Sequence, residues 1–437
     1  MKSVKEILDD RSAETSSRPS LYAADVVTEK KYIPLANPDN HVWRMGRKAI
    51  QPLVAPQAVL AHLPVAEAET TQLLHDIIHD PEELCHHVSR YTFSFIASVV
   101  FGKSAPRHDS PELTHFNDYM RHQSSTVSPE AAPVDLIPIL KYVPERWAPW
   151  KQLWRETRRL QRSLYFSFLE HAEKKIKSGS KGGTFIENIL DRQEELKLTR
   201  EMVAYIGGIL IDGGADTSAS LIQSLVHCLI RSPASLRKAQ KEIDNIVGYT
   251  RLPLASDIPA VPFVQALIKE VHRVRPAAPT GIPHATSDDF EYRGYLIPKG
   301  APIIINVWGI MHDPDLFDRP DEFLPERYML TPDGTKPGLD KDFTIRSSLP
   351  FGSGKRLCPG MHLATTNLTL AVMRLLWAFD FAPLSGSVPQ SGIWNMEDEY
   401  IDGLTFTPKS FKCKVTPRDK ERVEVIEDYY NRITHAD

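Results

Sequence analysis

Apolar residues recur at helical spacing along most of this chain. One such helical face, after residue 360, consists of Ala364, Leu368, Ala371, Leu375 and Phe379. Short strands are predicted only near 290–306 and in the last fifty residues. The pattern therefore indicates a mainly α fold with a smaller β region.

The longest helical candidate covers residues 199–232. Thr199 is a suitable N-cap, and Pro233 ends the helix. Each glycine inside a helix costs about 1 kcal/mol relative to alanine. This candidate contains four of them, Gly207, Gly208, Gly213 and Gly214. We therefore expect a helix that is closely packed against its neighbours or distorted.

Residues 129–149 have a composition that breaks helices. Within a mixed apolar background they contain Pro129, Pro133, Pro138, Pro144 and Pro149. We expect short, broken elements here and an irregular lid.

Composition narrows the class of protein. A chain of 437 residues with 42% hydrophobic and 25% charged residues is ordinary for a globular protein with a large core. A net charge of −4 argues against nucleic acid as the main partner. The four cysteines lie far apart, which favours a reducing compartment over a disulfide framework. No window reaches the ~18 apolar residues that span a bilayer.

Residues 351–364 carry the strongest chemical signal. Cys358 is followed by Pro359, which suits a first helical position, so the cysteine is predicted at a helix N-terminus. The free N–H groups there favour a thiolate. Arg356 adds a cation two residues before the sulfur. This pattern is typical of a thiolate bound to a metal whose own ligand carries carboxylates, and heme iron fits it best.

Other interpretations of the sequence around Cys358 are a phosphate loop, a zinc site and an unreactive cysteine. Gly-Ser-Gly-Lys resembles a phosphate loop, but Arg356 stands where a Ser or Thr should hold magnesium. A zinc site needs further ligands in register, and the neighbouring sequence has none. A buried, inert cysteine is the remaining alternative.

The string Phe-Gly-x-Gly-x-Arg-x-Cys-x-Gly is complete from Phe351 to Gly360. It resembles the signature of the cytochrome P450 family of heme-thiolate monooxygenases. The resemblance implies one heme domain over 1–437, with a b-type heme and Cys358 as its axial ligand. It also places Val4–Pro19 well inside the family fold, so we expect the family's membrane anchor and first strands to be missing. The family implies the cytoplasmic face of the endoplasmic reticulum membrane, whereas the chain as given is expected to be soluble or peripheral.

A second constellation runs from Gly213 to Ser218. Gly213 lies one turn before Thr217, so its missing side chain opens space beneath the hydroxyl. Thr217 is able to bond back to a carbonyl four residues earlier. The string resembles the family's oxygen-activation motif, which implies that Thr217 holds a hydrogen-bond network and that Asp216 relays protons. The alternative is a closely packed helix with a satisfied threonine.

Other residues acquire roles from the resemblance. Glu270, Arg273 and Arg327 are implied to form a buried structural triad. The candidates to bind the heme propionates are Trp43, Arg47, His284 and Arg356. For His284 a surface loop position is the alternative, and Phe351 is expected to pack beside the thiolate.

Two other motifs are discounted. Pro144-Glu-Arg146 repeats part of the triad pattern but lies before the oxygen-activation helix, in the wrong order. Cys85, His86 and His87 are consecutive, so on a helix they point in different directions and do not converge on one ion.

The resemblance also implies the partners. No dinucleotide or flavin fingerprint is present, so electrons are expected from an NADPH–cytochrome P450 reductase, with Lys355 as one contact. The motif variants resemble fungal microsomal members that oxidise secondary metabolites, which implies dioxygen and an apolar terpenoid, polyketide or alkaloid as substrates. Candidate pocket residues are 277–282 and 404–406, beneath the 129–149 lid. The alternatives are a heme-thiolate rearrangement or dehydration enzyme, against which Asp216 and Thr217 argue, and a truncated non-catalytic paralogue.

Overall fold

The computed structural model describes residues 2–127, 133–180, 182–339, 348–384, 399–401, 403 and 405–435. Within these ranges the chain begins with a helical segment, Lys2–Val4 continuing as Lys5–Asp9. The helices up to the centre of the chain are α1 Tyr22–Thr28, α2 His41–Val54, α3 Pro56–Ala61, α4 Leu63–His79, α5 Leu84–Phe101, α6 Pro111–Val127, α7 Pro149–Lys177 and α8 Phe185–Asp191. The remainder are α9 Arg200–Arg231, α10 Pro233–Val247, α11 Pro262–Val274, α12 Val307–Met311, α13 Arg327–Leu330, α14 Met361–Ala378 and α15 Lys420–Thr434.

The strands are short and pair antiparallel. They are β1 His284–Ala285, β2 Phe290–Tyr292, β3 Tyr295–Ile297, β4 Pro302–Ile303, β5 Phe379–Pro383, β6 Tyr400–Ile401, β7 Thr407–Pro408 and β8 Cys413–Pro417. The pairs are β1 with β4, β2 with β3, β5 with β8 and β6 with β7. The prediction of a mainly α fold with a smaller β region is confirmed.

One strand lies where a helix was predicted to continue. Phe379 belongs to the apolar series of the preceding helix, but it opens β5 and pairs with Pro417 of β8. It is 1% exposed, so burial alone is compatible with either structure, and the apolar series does not mark the change.

The helix α9 runs through the middle of the fold. Thr199 caps it by accepting the N–H of Met202 at 3.2 Å, and it ends at Arg231, as predicted. Pro233 then occupies the first turn of α10. Because α9 packs against α5, α7, α11, α14 and α2, most of its residues are buried. One continuous apolar core surrounds it, with members from Tyr32 to Ile426.

Three of the glycines in α9 make room for neighbouring side chains. A Cβ at Gly207 would overlap the ring of Phe101, and one at Gly208 would overlap the ring of Tyr165. At Gly214 an added Cβ would lie 2.8 Å from Ile96. The fourth, Gly213, is different: it is exposed, and nothing lies within 4 Å of an added Cβ. Close packing therefore explains three glycines, and an open notch explains the fourth.

Alanine substitutions at two of these glycines should have opposite effects on stability. We expect Gly208→Ala to lower the free energy of unfolding by about 1–3 kcal/mol, because its methyl group overpacks against Tyr165. Gly213→Ala should leave it unchanged or raise it by up to ~1 kcal/mol, the helix-propensity gain. Urea unfolding midpoints of the two variants measure the difference. Equal losses would contradict the assignment of Gly213 as an open notch.

The predicted triad is buried and fully connected. Arg273 donates to both carboxylate oxygens of Glu270, at 2.9 and 2.8 Å, and Arg327 reaches the same carboxylate at 3.2 Å. Arg273 also donates to the backbone carbonyls of Met311, Pro320 and Glu322. Glu270 and Arg273 are fully buried. The triad thus ties α11 to the segment that leads into α13.

The described part of the predicted lid, 133–149, is irregular. It contains two short 3-10 turns, Pro138–Tyr142 and Glu145–Trp147, as the prolines indicate. Pro129 lies outside the described residues, as does Leu404 of the predicted pocket. Among the helices the structure describes, none has an apolar stretch sufficient to cross a bilayer.

Candidate active site around Cys358

Cys358 lies in a loop that is held by a hydrogen bond within the loop and by a contact with the N-terminal segment. Its backbone N–H donates to the carbonyl of Phe351 at 2.8 Å. Gly354 sits at φ +59, and its N–H donates to the carboxylate of Asp9 at 3.0 Å. A Cβ there would overlap the carbonyl of Leu8, so only glycine lets the N-terminal segment approach so closely. The loop is therefore held partly by the first ten residues of the chain.

The helix after Cys358 begins later than predicted. Gly360 is the N-cap of α14, which starts at Met361, so Pro359 precedes the helix instead of opening it. The Pro359–Gly360 step therefore makes the turn into the helix. The cysteine still receives an N–H from this turn, since the backbone of Gly360 bonds to its sulfur.

Burial raises the pKa of the Cys358 thiol, while the Gly360 N–H and the charge of Arg47 act in the opposite direction. Burial is the largest of these effects, so the free side chain is a thiol. A bound metal ion would displace the proton, because a coordinating thiol is deprotonated outright. The site therefore suits a metal thiolate better than a free thiolate nucleophile.

Trp43 and Arg47 are four residues apart and share a face of α2, and this face meets the cysteine loop. Both Nη atoms of Arg47 donate to the carbonyl of Leu357, at 3.4 and 3.3 Å. The guanidinium of Arg356 lies 4.9 Å from the ring centroid of Trp43. It also donates to the carbonyls of Ser16 and Ala36, at 2.8 and 2.6 Å. Three of the sequence-predicted residues are thus brought together next to Cys358.

Arg18 belongs to the same group and was missed by the sequence analysis. It is 7% exposed and donates to the carbonyls of Pro34, Ile282 and Pro283, at 2.8, 2.6 and 2.8 Å. Its positive charge acts on Arg356. No local motif marks it, because its position depends on the fold of segments far apart in the chain.

The three arginines form a cationic cluster without acids. Burial lowers the pKa of Arg18 to about 10 and that of Arg356 to about 9, where the charges of Arg18 and Arg47 add to the effect. Burial also lowers the pKa of Arg47. Within the described ranges, no carboxylate forms an ion pair with any of the three. Guanidinium groups that are buried, as in Arg18, or half-buried, as in Arg47 and Arg356, are stabilised by anionic partners, and a prosthetic group carrying carboxylates would supply them.

His284 is buried, so the surface-loop alternative is wrong. It is 4% exposed in β1, and its Nδ1 lies 2.8 Å from the carbonyl of Thr15. Burial, assisted by the charge of Arg18, lowers its pKa to about 4. A neutral ring that donates through Nδ1 leaves Nε2 as an acceptor. His284 must therefore gain a proton before it donates to a carboxylate.

The second constellation has the predicted local geometry. The hydroxyl of Thr217 donates to the carbonyl of Gly213 at 2.6 Å. Its oxygen remains able to accept a hydrogen bond from a group that occupies the open notch at Gly213. Asp216 bonds to Thr405, and burial raises its pKa. An acid with a raised pKa, next in sequence to a hydroxyl at an open helix face, suits proton transfer.

Predicted pocket residues converge on the same part of α9. The N–H of Phe406 donates to the carbonyl of Ala277 at 2.9 Å, and its carbonyl accepts from Ser220 at 2.6 Å. Ser220 lies one turn after Asp216. The segments 277–282 and 405–406 are therefore attached to the helix that carries the proton-transfer pair.

Phe351 packs against a histidine that the sequence analysis did not mention. The ring of His272, on α11, lies 5.0 Å from the ring of Phe351. Burial alone lowers the pKa of His272 to about 4, so it is neutral. Together the two rings form an uncharged lining on one side of the cysteine loop.

The structure agrees with discounting the Cys-His-His string as a metal site and the second Pro-Glu-Arg string as part of the triad. Cys85, His86 and His87 contact three different partners, the carbonyl of Phe411, the side chain of Glu83 and the carbonyl of Asp80. In the second Pro-Glu-Arg string, Glu145 pairs with Arg155 at the surface. Neither motif contributes to the site around Cys358.

The donor set fits an iron porphyrin: it offers a sulfur ligand, buried cations for carboxylates and an open notch at Gly213. Comparison with known proteins points the same way. The family model for cytochrome P450 matches residues 1–415. A cytochrome P450 monooxygenase of Armillaria gallica is 34% identical over 430 residues, which is 98% of this chain and 82% of that protein. Another, from Aspergillus terreus, is 35% identical, with coverage of 97% and 79%.

Solved structures also match over nearly the whole length. A zebra fish cytochrome P450 structure with progesterone has a TM-score of 0.77 at 25% identity, covering 95% of this chain and 92% of that one. A second zebra fish structure, with abiraterone, has a TM-score of 0.76.

Proposed function

Because the chain belongs to the cytochrome P450 family, and is a monooxygenase on that ground, we propose that Cys358 is the axial ligand of a b-type heme. We further propose that the enzyme inserts one oxygen atom from dioxygen into an apolar small molecule. The observation that carries this proposal is a cluster of one buried arginine, Arg18, and two half-buried ones without acidic partners, next to the half-buried Cys358.

The heme, when bound, supplies dioxygen activation, in which one oxygen atom enters a substrate C–H bond and the other leaves as water. Cys358 holds this group through its sulfur, and the N–H of Gly360 and the charge of Arg47 stabilise the thiolate. The neutral rings of Phe351 and His272 limit water on that side. These contacts tune the electron density that the sulfur provides.

Arg18, Arg47 and Arg356 bind the carboxylates of the heme. Trp43 positions Arg356 by stacking against its guanidinium. Once carboxylates lie beside it, His284 is held in its protonated form, since a nearby anion raises the pKa of a histidine. The backbone bonds of the arginines, described above, fix their directions before the group arrives.

Thr217 and Asp216 move the protons that oxygen insertion consumes. Thr217 is fixed by its bond to Gly213 and offers its oxygen as an acceptor at the notch. Burial raises the pKa of Asp216, which favours its protonated form, and Asp216 passes a proton through water toward the hydroxyl of Thr217. A rearrangement enzyme has no need of such a pair, so these two residues favour the monooxygenase interpretation.

We expect Thr217→Ala to uncouple electron consumption from oxygen insertion. The fraction of NADPH electrons that ends as hydrogen peroxide should rise, and product formation should fall by about 10²-fold, the lower end for general acid catalysis. NADPH consumption and peroxide release, measured with an added reductase, give both quantities. The variant Thr217→Ser keeps the hydroxyl and serves as the matched control.

Unchanged coupling in Thr217→Ala would contradict the proton-transfer role of Thr217, whereas a wild type that forms its product without consuming NADPH would favour a heme-thiolate enzyme that does not use dioxygen. The result does not depend on folding if the reduced carbon monoxide complex of the variant shows the same thiolate-type Soret band as the wild type.

Two partners are proposed, an organic substrate and an electron-supplying reductase. The relatives support the first, and the surface near Cys358 supports the second. Relatives from Penicillium, Aspergillus and Armillaria support a fungal secondary metabolite as substrate, bound beside the segments 277–282 and 405–406. An NADPH–cytochrome P450 reductase would supply the electrons. Lys355 is exposed and precedes the cysteine by three residues, which supports docking on this face.

We propose a single heme domain over residues 1–437. The continuous core from Tyr32 to Ile426 supports it. The proposed location, the cytoplasmic face of the endoplasmic reticulum membrane, is supported by family resemblance.

A further inference from the structure

Asp212 is a buried acid that the proposed mechanism does not use. It lies on α9 and is 4% exposed. Its Oδ2 accepts three hydroxyl groups, from Tyr32 at 3.2 Å, Tyr119 at 2.9 Å and Tyr165 at 2.5 Å. Within the described ranges no lysine, arginine or histidine forms an ion pair with it. A buried carboxylate normally has such a partner, so this arrangement needs an explanation.

The cluster contains fewer donor hydrogens than buried acceptor atoms. The three tyrosine hydroxyl hydrogens are directed at Oδ2, and the amide of Gln161 donates to Tyr119 at 2.8 Å and to Tyr165 at 3.5 Å. All of these donors are then in use. Two buried acceptors nevertheless have no partner, Oδ1 of Asp212 and Oε1 of Gln161. One proton bound at Oδ1 converts that atom from an unpartnered acceptor into a donor.

The packing of α9 maintains this arrangement. Gly208 lies one turn before Asp212, and its missing side chain lets the ring of Tyr165 lie directly on the helix. Tyr119 and Gln161 come from α6 and α7, and Tyr32 comes from the segment before α2. Four separate parts of the chain therefore converge on one carboxylate.

Asp212 lies one helical turn before Asp216, on the same face of α9. The negative charge of Asp216 acts on Asp212, and the charges of both acids act on the hydroxyl of Tyr32. Burial raises the pKa of Asp212 to about 7, even though the tyrosine hydroxyls favour its charged form. Such an acid exchanges its proton near neutral pH.

We propose that Asp212 stores an exchangeable proton and passes it to Asp216, so that it acts as a positioning residue for proton delivery. This inference rests on the proposed role of Asp216. After Asp216 has released its proton toward Thr217, the O–H bond of Asp212 breaks and a new O–H bond forms on Asp216. The electron pair stays on Asp212, which regains a proton from solvent. No oxidant or reductant takes part in this transfer.

Polar groups face Asp212 from several of the segments around it. They are Tyr32 before α2, Tyr119 on α6, Tyr165 and Gln161 on α7, and Asp216 on α9. Tyr165 also contacts the ring of Tyr205 at 5.4 Å, and Tyr205 interacts with Arg162. Arg162 in turn pairs with Glu201 near the start of α9.

The first test is the pH dependence of stability in Asp212→Asn. Asparagine mimics the protonated acid, because it places an acceptor oxygen and a donor NH2 group on the same two positions but cannot ionise. The folded wild type holds its proton up to about pH 7, whereas an unfolded aspartate loses it near 3.8. Wild-type stability therefore falls as pH rises through this window, and the variant lacks this fall.

The difference in urea midpoint, variant minus wild type, should thus increase from the acidic to the alkaline end of the window, measured on the heme-loaded enzyme. Tyr119→Phe keeps the acid but removes a hydrogen bond that favours its charged form, so the stability of this variant should still fall as pH rises, and the fall should extend to higher pH. If Asp212→Asn and the wild type differ by a constant amount at every pH, Asp212 holds no exchangeable proton and the proposal fails.

The second test is peroxide release per NADPH consumed, with an added reductase. Asp212→Asn should raise this ratio and lower product formation by about tenfold, less than the ~10²-fold expected for a direct general acid. Asp212→Glu should restore part of the loss. If Asp216→Asn uncouples the enzyme but Asp212→Asn does not, this inference fails and the proposed function stands. If neither variant uncouples it, the proton relay of the proposed function fails.

Discussion

Cys358→Ala should abolish the thiolate-type Soret band of the reduced carbon monoxide complex and reduce monooxygenase activity to background. The sulfur of Cys358 is the only atom in its loop suited to a soft or borderline metal, and the electron-rich thiolate is what favours cleavage of dioxygen. Arg47 and Gly360 stabilise that charge but supply no replacement ligand. Difference spectra of purified wild type and variant, at equal heme content, measure the band.

Cys413→Ala provides the matched control. Cys413 is also a half-buried free cysteine whose pKa is raised by burial, but it lies on β8. Its removal should leave the band unchanged. A band that survives in Cys358→Ala, or disappears in Cys413→Ala, would mean that the axial ligand has been assigned to the wrong residue.

Glu270→Gln should destabilise the protein by about 3–5 kcal/mol, a large part of the ~5–15 kcal/mol that holds a typical domain folded. The substitution leaves the guanidinium groups of Arg273 and Arg327 buried without their carboxylate. It also weakens the acceptor for the N–H of Leu324, now 2.8 Å from that carboxylate. Urea unfolding of the heme-loaded protein measures the loss.

An exposed pair close by in the chain tests whether burial is the cause. Glu322 pairs with Arg319 at 3.2 Å, and both side chains are more than half exposed. Glu322→Gln should therefore change stability by less than ~1 kcal/mol. Arg327→Lys keeps a charge but not the planar geometry, so its loss should lie between the two. Similar losses for Glu270→Gln and Glu322→Gln would contradict a structural role for the triad.

The sequence predicted those parts of the site in which spacing along the chain equals spacing in the fold. Thr217 bonds to the carbonyl of Gly213 because both lie on one helix, and Trp43 and Arg47 share a face for the same reason. The contact between Glu270 and Arg273 follows the same rule. Arg327 entered only through family resemblance, because its contact with Glu270 is made in the folded structure alone.

What the sequence missed depends on contacts between distant segments. Arg18 reaches the site because the carbonyls of Ile282 and Pro283 hold it, more than 260 residues further along the chain. Asp212 is followed directly by a glycine of the oxygen-activation motif, but its tyrosine partners come from three other segments. Periodicity carries no information about such partners.

Local errors had a different origin. Phe379 continues the apolar series of α14 but begins a strand, since the series does not distinguish two kinds of buried neighbour. Pro359 suits the first turn of a helix, yet the turn at Gly360 comes first. In both places the residue is compatible with two backbone conformations, and tertiary contacts decide which one forms.

The cluster of Arg18, Arg47 and Arg356 has a consequence for how the protein is made in the cell. Like charges held close together repel one another, so an anionic group that neutralises them adds to the stability of the folded chain. Heme delivery then becomes the last stage of maturation for the newly synthesised chain. A cell short of iron or porphyrin would then hold more of the less stable, heme-free chain, which proteases remove more readily.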